Sequence, residues 1–288
     1  MTNFSTIEKK DAISYEEFVE NHLKPRIPVV FKNASSVWKD NKLFSPDFFR
    51  ENFGDYKTFS GGKEYSITEI LEITEKSTAE NPAPYPIVFE VPKQIPELLP
   101  YIEPMDMEYA KPNWFKSNIF PYGKFGKSVH LFIGGKGNQY TLHKDLYHTN
   151  AWITQLYGPK KFVVFPGDQD ELLYNGPKPY ANFLSPVNIL NPDYEKYPKY
   201  KDATPIEIVV EQGETIFVPN GVWHTTVAPG QNISLIFDQL NHLNAKSWLN
   251  DIYDCKKEEG FLNLGLHYSV AVSLVAASKL GSLLGKKY

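Results

Sequence analysis

The chain has 288 residues, with 30 Lys and Arg against 34 Asp and Glu and a formal net charge of −4. That length buries a sizeable core as one elaborated domain, and the near balance of charge, with no basic arm or stripe, argues against nucleic acid as a partner. The 22 prolines and 15% aromatic residues exclude a helical bundle and favour a loop-rich, sheet-rich protein. In chain order, Tyr15, Phe18 and Val19 have helical spacing, and the apolar run IPVVFKN at 27–33 reads as a strand. Ser45, Pro46 and Asp47 form a helix start that Gly54 stops, and YSITEILEITEKS at 65–77 reads as a second helix capped by Ser66. From about 80 to 125 proline and aromatics dominate, and short strands and ordered loops are expected.

From 126 the pattern changes to short strands between Gly, Pro and Asn turns. The eight candidates are SVHLFIG (128–134), YTLHKD (140–145), AWITQLY (151–157), KKFVVF (160–165), PIEIVVEQG (205–213), ETIFVPN (214–220), WHTTVAP (223–229) and NISLIFDQ (232–239). They define a mostly β fold with flanking helices, an antiparallel sandwich or closed barrel. The expected organisation is an N-terminal elaboration over 1–125, a barrel core over 126–241 and C-terminal helices over 242–288. The stretch from Leu266 to Leu284 is interrupted by His267, Ser269, Ser273, Ser278, Lys279 and Ser282. It is too polar to span a membrane and suits an amphipathic or buried helix, with a homodimer contact as its more interesting use. With Cys255 the single cysteine and no apolar signal core in MTNFSTIEKKDAISYEEF, a reducing, cytoplasmic setting is expected.

The chemistry concentrates in YTLHKDLYHTNAWITQLYGPKKFVVF (140–165) and GETIFVPNGVWHTTV (213–227). His143 and Asp145 are two apart, so on a strand both face one side. His224 is the candidate third ligand from a distant strand. Two imidazoles and one carboxylate occupy one face of an octahedral ion and leave three positions open, which suits Fe(II) in oxygen chemistry. A lone His-x-Asp is a weak signal, and so is His224 alone. Their conjunction with a following basic strand and a Gly-Glu…Pro…His run carries the weight. His130, in an apolar strand, and His148, in the turn after Asp145, are not expected as ligands.

These segments resemble the JmjC-type, cupin-like Fe(II)/2-oxoglutarate dioxygenases. GGKGNQYTLHKD is similar to that family's glycine turn and His-x-Asp strand, HKDLYHTNAWITQLYGPKKFVVFP to its next block, and QGETIFVPNGVWHTTV to its second-histidine block. PRIPVVFKNASSVWKDNKLFSPDFFRENFGD fits the family's lead-in, so the resemblance covers roughly residues 14 to 241. It implies a double-stranded β-helix (jelly-roll) barrel, His143, Asp145 and His224 as iron ligands, and Lys160 on the far carboxylate of 2-oxoglutarate. Strand alternation allows only one of Lys160 and Lys161 to face inward. The family's threonine three residues before the first ligand is replaced by Tyr140, with Thr141 beside it. Asp238-Gln239 stands where many relatives have Asn, and Val222 where they have a second Trp. Tyr140, Thr141 and Asn150 are candidate co-substrate contacts, and Trp152 a candidate pocket residue.

The resemblance implies oxidative decarboxylation of 2-oxoglutarate by O₂, coupled to hydroxylation of a protein or peptide side chain. Hydroxylation of a small molecule is an alternative, as is a non-catalytic metal- and ligand-binding sensor or scaffold. No zinc-finger cysteines or appended basic region accompany the motifs, which favours a stand-alone hydroxylase over a chromatin demethylase.

Overall fold

The computed structural model describes residues 3–103 except 39 and 41, residues 108–111 and 113, and residues 129–145, 148–176 and 183–256, with scattered residues between 265 and 280. In chain order the strands are β1 (Glu8–Lys10), β2 (Val29–Phe31), β3 (Lys57–Ser60), β4 (Lys63–Ser66), β5 (Ile87–Glu90), β6 (Val129–Gly134), β7 (Asn150–Tyr157), β8 (Lys160–Phe165), β9 (Ile206–Val210), β10 (Thr215–Val218), β11 (Trp223–Val227) and β12 (Asn232–Gln239). The helices used below are α1 (Tyr15–Phe18), α2 (Pro46–Phe53), α3 (Ile67–Glu75), α4 (Val91–Gln94) and α5 (Ala245–Lys256). No helix among the described residues is long and apolar enough to cross a membrane. The expected C-terminal contact helix at 266–284 falls largely outside the described residues.

Two sheets carry the architecture. The larger has the order β1-β2-β10-β7-β12-β6-β5, and the smaller β11-β8-β9. Apart from the parallel β1–β2 pair, their ladders are antiparallel. The neighbours β7–β12–β6 and β7–β10 are far apart in sequence, which is the crossed connectivity of a jelly roll. Three strands of the N-terminal segment, β1, β2 and β5, extend the larger sheet at its two edges, which shortens the exposed edges of the barrel.

Period-2 alternation sorts the side chains. Along β7, Ala151 and Ile153 join Phe162 and Val164 of β8 and Ile216 and Val218 of β10 in the core between the sheets. The alternate residues Trp152 and Leu156 point the other way, into a second core under the N-terminal helices with Phe18, Phe31 and Phe217. There Phe18 packs edge-on to Phe217 at 5.0 Å and Phe31 stacks on Tyr109 at 4.5 Å. Each such fully buried ring contributes about 1.5–3 kcal/mol. β7 is therefore buried on both faces, and its polar residues Asn150, Thr154 and Gln155 are satisfied there by hydrogen bonds with Asn220, Thr215 and Ser234.

Helices α2 and α3 form where their caps place them. Ser45 Oγ accepts from Phe48 N at 3.1 Å ahead of Pro46, and α2 stops at Gly54. A Cβ there would lie 2.4 Å from Arg50 O and 2.5 Å from Thr68 Oγ1, so close approach to α3 demands glycine. Ser66 and Glu69 form a reciprocal capping box, and α3 buries Ile67, Ile70, Leu71 and Thr74, one helical face. The first residues expected in this helix are instead β4, paired with β3 through a Gly61-Gly62 turn with positive φ at both glycines. The first helix is also short: after α1 the backbone widens into a π-helical turn at Val19–Leu23.

Candidate metal centre and its cavity

The sheets enclose a cavity of about 70 Å³. Phe132, Ala151, Ile153 and Ile236 line it from the larger sheet, and Lys160, Phe162, His224 and Thr226 from the smaller. His143, Asp145, Tyr140 and Tyr85 complete its wall.

At one end the backbone itself brings two histidines together. His143 N donates to His224 O at 3.0 Å and His224 N to His143 O at 2.8 Å. This is a closely hydrogen-bonded antiparallel pair, so the side chains emerge side by side, with ring centroids 4.3 Å apart. Each Nδ1 faces a backbone carbonyl, Thr141 O at 2.8 Å for His143 and Val222 O at 3.1 Å for His224. A carbonyl can only accept, so each Nδ1 carries a proton and Nε2 is the ring atom left to ligate. Both Nε2 atoms face Asp145 Oδ1, at 3.6 Å from His143 and 3.9 Å from His224. One donor atom from each of the three residues lies within 4.8 Å of the other two.

Electrostatics keep these groups in ligating form. Burial pushes His224 down to about 4, and His143 beside it pushes the same way, so its imidazole is neutral at neutral pH. Burial alone would raise the Asp145 carboxyl, but the facing His224 and His143 outweigh it and hold the carboxyl below its ordinary value. Asp238 on β12 is the counterpart. Burial and the charge of Asp145 push its carboxyl up to about 7, while Thr149 Oγ1 donates to its Oδ1 at 3.3 Å.

The segment carrying His143 and Asp145 departs from the expected regular strand. Gln139 bridges Val227, and His143 bridges both His224 and Leu184, with no continuous ladder between. From Gln139 to His143 the chain advances four residues while its partner β11 advances three, which is a β-bulge. Side chains take up ladder acceptors here: Thr225 Oγ1 donates to Tyr140 O at 2.5 Å, and His143 Nδ1 to Thr141 O. The extra residue reverses the alternation before His143. Tyr140 turns into the cavity, its ring 4.8 Å from that of His143, and Thr141 is exposed outside it.

At the other end stands Lys160, 3% exposed. Its Nζ donates to Ser234 Oγ at 2.8 Å and lies 6.0 Å from the Tyr85 ring centroid. Ser234 in turn donates to Gln155 Oε1. No carboxylate among the described residues pairs with this ammonium, and burial alone pushes it down to about 7. Lys161, one residue on, turns outward to Glu207 at 3.0 Å. The turn before Lys160 needs Gly158, whose φ is +65° and whose Cβ would sit 2.1 Å from Gln231 O.

Other residues singled out in the sequence are placed elsewhere. Asn150 is fully buried in an amide network, its Oδ1 accepting from Asn220 N at 2.9 Å and Nδ2 at 3.0 Å, and it does not line the cavity. Trp152 is core, donating Nε1 to Gln239 Oε1 at 3.0 Å, and that same Gln239 also accepts from Asn150. Val222 is buried and supplies the carbonyl behind His224. His130 pairs across from Glu90 on β5, outside the cavity lining. His148 holds Asp251 of α5 through Nδ1. Sequence reasoning missed Tyr85 and Thr226. Thr226 was findable, two residues after His224 on one strand and so on the same face. Tyr85 comes from a proline-rich loop with no periodic signal.

A jelly-roll barrel holding two imidazoles and a carboxylate at the mouth of an inter-sheet cavity defines the protein's class. Two Nε2 atoms and an ionised carboxylate are a fitting donor set for a divalent first-row metal such as iron. The chain belongs to the cupin-like domain family, which it matches over residues 48–237, and to that family's JmjC group. It is similar to "Arginine-specific demethylase JMJ22" of Arabidopsis thaliana, 26% identical over 251 residues, covering 85% of this chain and 47% of the relative. "Arginine-specific demethylase JMJ20" of the same plant is 26% identical over 270 residues, covering 83% and 58%. "2-oxoglutarate and iron-dependent oxygenase JMJD4" of Gallus gallus is 24% identical over 268 residues, covering 83% and 60%. The chain thus spans about half the length of these relatives.

Proposed function

We propose that this chain is an Fe(II)- and 2-oxoglutarate-dependent oxygenase that hydroxylates a C–H bond on a protein or peptide side chain. The observation that carries this reading is the pairing, in one cavity, of a His-Asp-His donor set with a buried ammonium that no carboxylate among the described residues neutralises. His143, Asp145 and His224 would hold the iron. Lys160 would hold the far carboxylate of 2-oxoglutarate, with Tyr85 and Thr226 lining the same cavity. Iron, 2-oxoglutarate and O₂ together supply the oxidising power: R–H becomes R–OH while the co-substrate becomes succinate and CO₂.

The chain's own residues bind, orient and exclude water. The aliphatic and aromatic lining from Phe132, Ile153, Phe162 and Ile236 keeps the cavity apolar between its two polar ends. That environment strengthens the ion pair at Lys160 and fixes the direction of the co-substrate. The relatives named as demethylases and as an oxygenase support a C–H hydroxylation of this kind, since removing an N-methyl group by this chemistry begins with its hydroxylation. The cavity suits a small co-substrate, and a macromolecular substrate would present one side chain at its mouth.

The direct test is succinate formation from 2-oxoglutarate by the purified chain with Fe(II) and ascorbate under air, beside His143→Ala. Turnover in the wild type that vanishes in the variant supports the reading. Failure of the wild type to bind either Fe(II) or 2-oxoglutarate would overturn it.

A further inference from the structure

The two ligand-bearing segments are tied together behind the cavity as well as in front of it. Lys144 lies between His143 and Asp145, and Trp223 immediately precedes His224, so both project from the opposite side of their backbones. There they meet one residue. Asp170, from the turn after β8, accepts from Lys144 Nζ and from Trp223 Nε1 through its Oδ1, the latter at 2.7 Å. Its Oδ2 accepts from Asn175 Nδ2 at 3.2 Å. Lys144 Nζ also lies 4.9 Å from the Trp223 ring centroid, which closes the triangle. Lys144 is 7% exposed and Trp223 fully buried, and Asp170 is the single carboxylate paired with Lys144 among the described residues.

We propose that Asp170 is a positioning residue for the metal centre: by gripping Lys144 and Trp223 together it fixes the separation of His143 and Asp145 from His224. The proposal rests on the metal-centre reading above. The bulge before His143 explains why such a grip is needed. Across the bulge the HxD segment meets β11 without a regular ladder, through the His143–His224 pair on one side and Tyr140 N on Thr226 O at 3.0 Å on the other, so a side-chain tie on the outer face adds to that interrupted pairing. A charge pair whose cationic member is buried resists sliding, because separating it leaves an uncompensated ammonium. No other described residue contacts both segments through ionic or charge-assisted hydrogen bonds.

The test is titration of the purified chain with Co(II), following the visible absorption of the bound ion, together with thermal melts. The variants are Asp170→Asn, Asp170→Ala, Lys144→Met and the double variant Asp170→Asn/Lys144→Met. Val187→Ala, in the apolar cluster that also contains Trp223, is the control for lost stability alone. Outer residues that orient metal ligands change metal affinity by about 10- to 100-fold. Asp170→Ala is expected to weaken Co(II) binding by at least about tenfold and to alter the absorption envelope. Asp170→Asn, which keeps an acceptor for Trp223, is expected to fall between it and wild type. The double variant is expected to be no worse than the poorer single variant, because both remove one interaction. Val187→Ala is expected to melt earlier and bind Co(II) normally.

If Asp170→Ala melts earlier yet keeps the wild-type Co(II) affinity and spectrum, Asp170 is merely structural and the proposal is overturned. Additive losses in the double variant would overturn it too. Absence of Co(II) binding by the wild-type chain would sink the metal-centre reading and this proposal with it.

Discussion

The two ends of the cavity solve opposite electrostatic problems. At the His143–Asp145–His224 end, three donor groups converge: burial keeps the His224 imidazole neutral, and the Asp145 carboxyl is held below its ordinary value. At the Lys160 end a cation is buried against a serine hydroxyl and a tyrosine ring, with no counter-ion among the described residues. One end is built to accept a positive charge into a prepared set of lone pairs. The other is left under-satisfied and is completed only by an anion. The apolar stretch between them keeps the two problems separate, and it makes a ligand with a chelating head and an anionic tail the natural occupant.

Substitutions separate the two ends by size and by sign. The largest effect belongs to the triad: Asp145→Ala or His224→Ala should cut succinate formation by about three orders of magnitude or more, some 4 kcal/mol of lost transition-state stabilisation. Next comes Lys160→Met, which should weaken 2-oxoglutarate binding about 100-fold by calorimetry while leaving Co(II) affinity near wild type. Without co-substrate the same variant should melt higher, since it removes a desolvated, unpaired ammonium. A lower melting temperature would break the contrast drawn between the two ends.

A pH series sharpens it. The Lys160 ammonium is depressed from 10.5 to about 7 in the folded chain. Between those values the unfolded chain holds the proton and the folded chain has released it, so this group makes stability rise with pH across that window. Bound 2-oxoglutarate restores the charge, so binding above pH 7 should take up a proton and weaken as pH rises. Calorimetry in buffers of different ionisation enthalpy reads that proton directly. The smallest effect is a control from neither end. Ser66→Ala removes the N-cap of α3 and should cost about 1 kcal/mol of stability in urea, with Co(II) and 2-oxoglutarate affinities unchanged.

Periodicity made much of the barrel legible. The alternating and continuous apolar runs that became β7, β8, β10, β11 and β12 stand out because burial on one or both faces writes itself into the sequence. The side chosen by Lys160 over Lys161 follows from the same parity with Phe162 and Val164. What failed was what parity cannot carry. A single extra residue between Gln139 and His143 exchanges Tyr140 for Thr141 at the cavity wall, and nothing in the pattern marks it. Asn150 looked like a pocket residue because amides recognise ligands, yet it is engaged by Asn220 and Gln239. Asp170 lies in a polar turn, and only the tertiary structure shows that it reaches back to both ligand-bearing segments. The hairpin of β3 and β4 had a local signal, the Gly61-Gly62 pair between alternating residues, that the stronger helix pattern after it masked.

The reciprocal backbone bonds between His143 and His224 join positions some eighty residues apart along the chain. Contacts of that span carry a loop-closure cost that local contacts avoid, so the donor set is assembled only when the small sheet has zipped onto the segment before β7. Metal capture therefore reports on completed topology: a chain that has collapsed with the wrong register exposes three scattered ligands and binds weakly. An ion added during refolding would act as a ratchet on the final closure step, and the amides of His143 and His224 would be the ones whose hydrogen exchange slows most when it arrives.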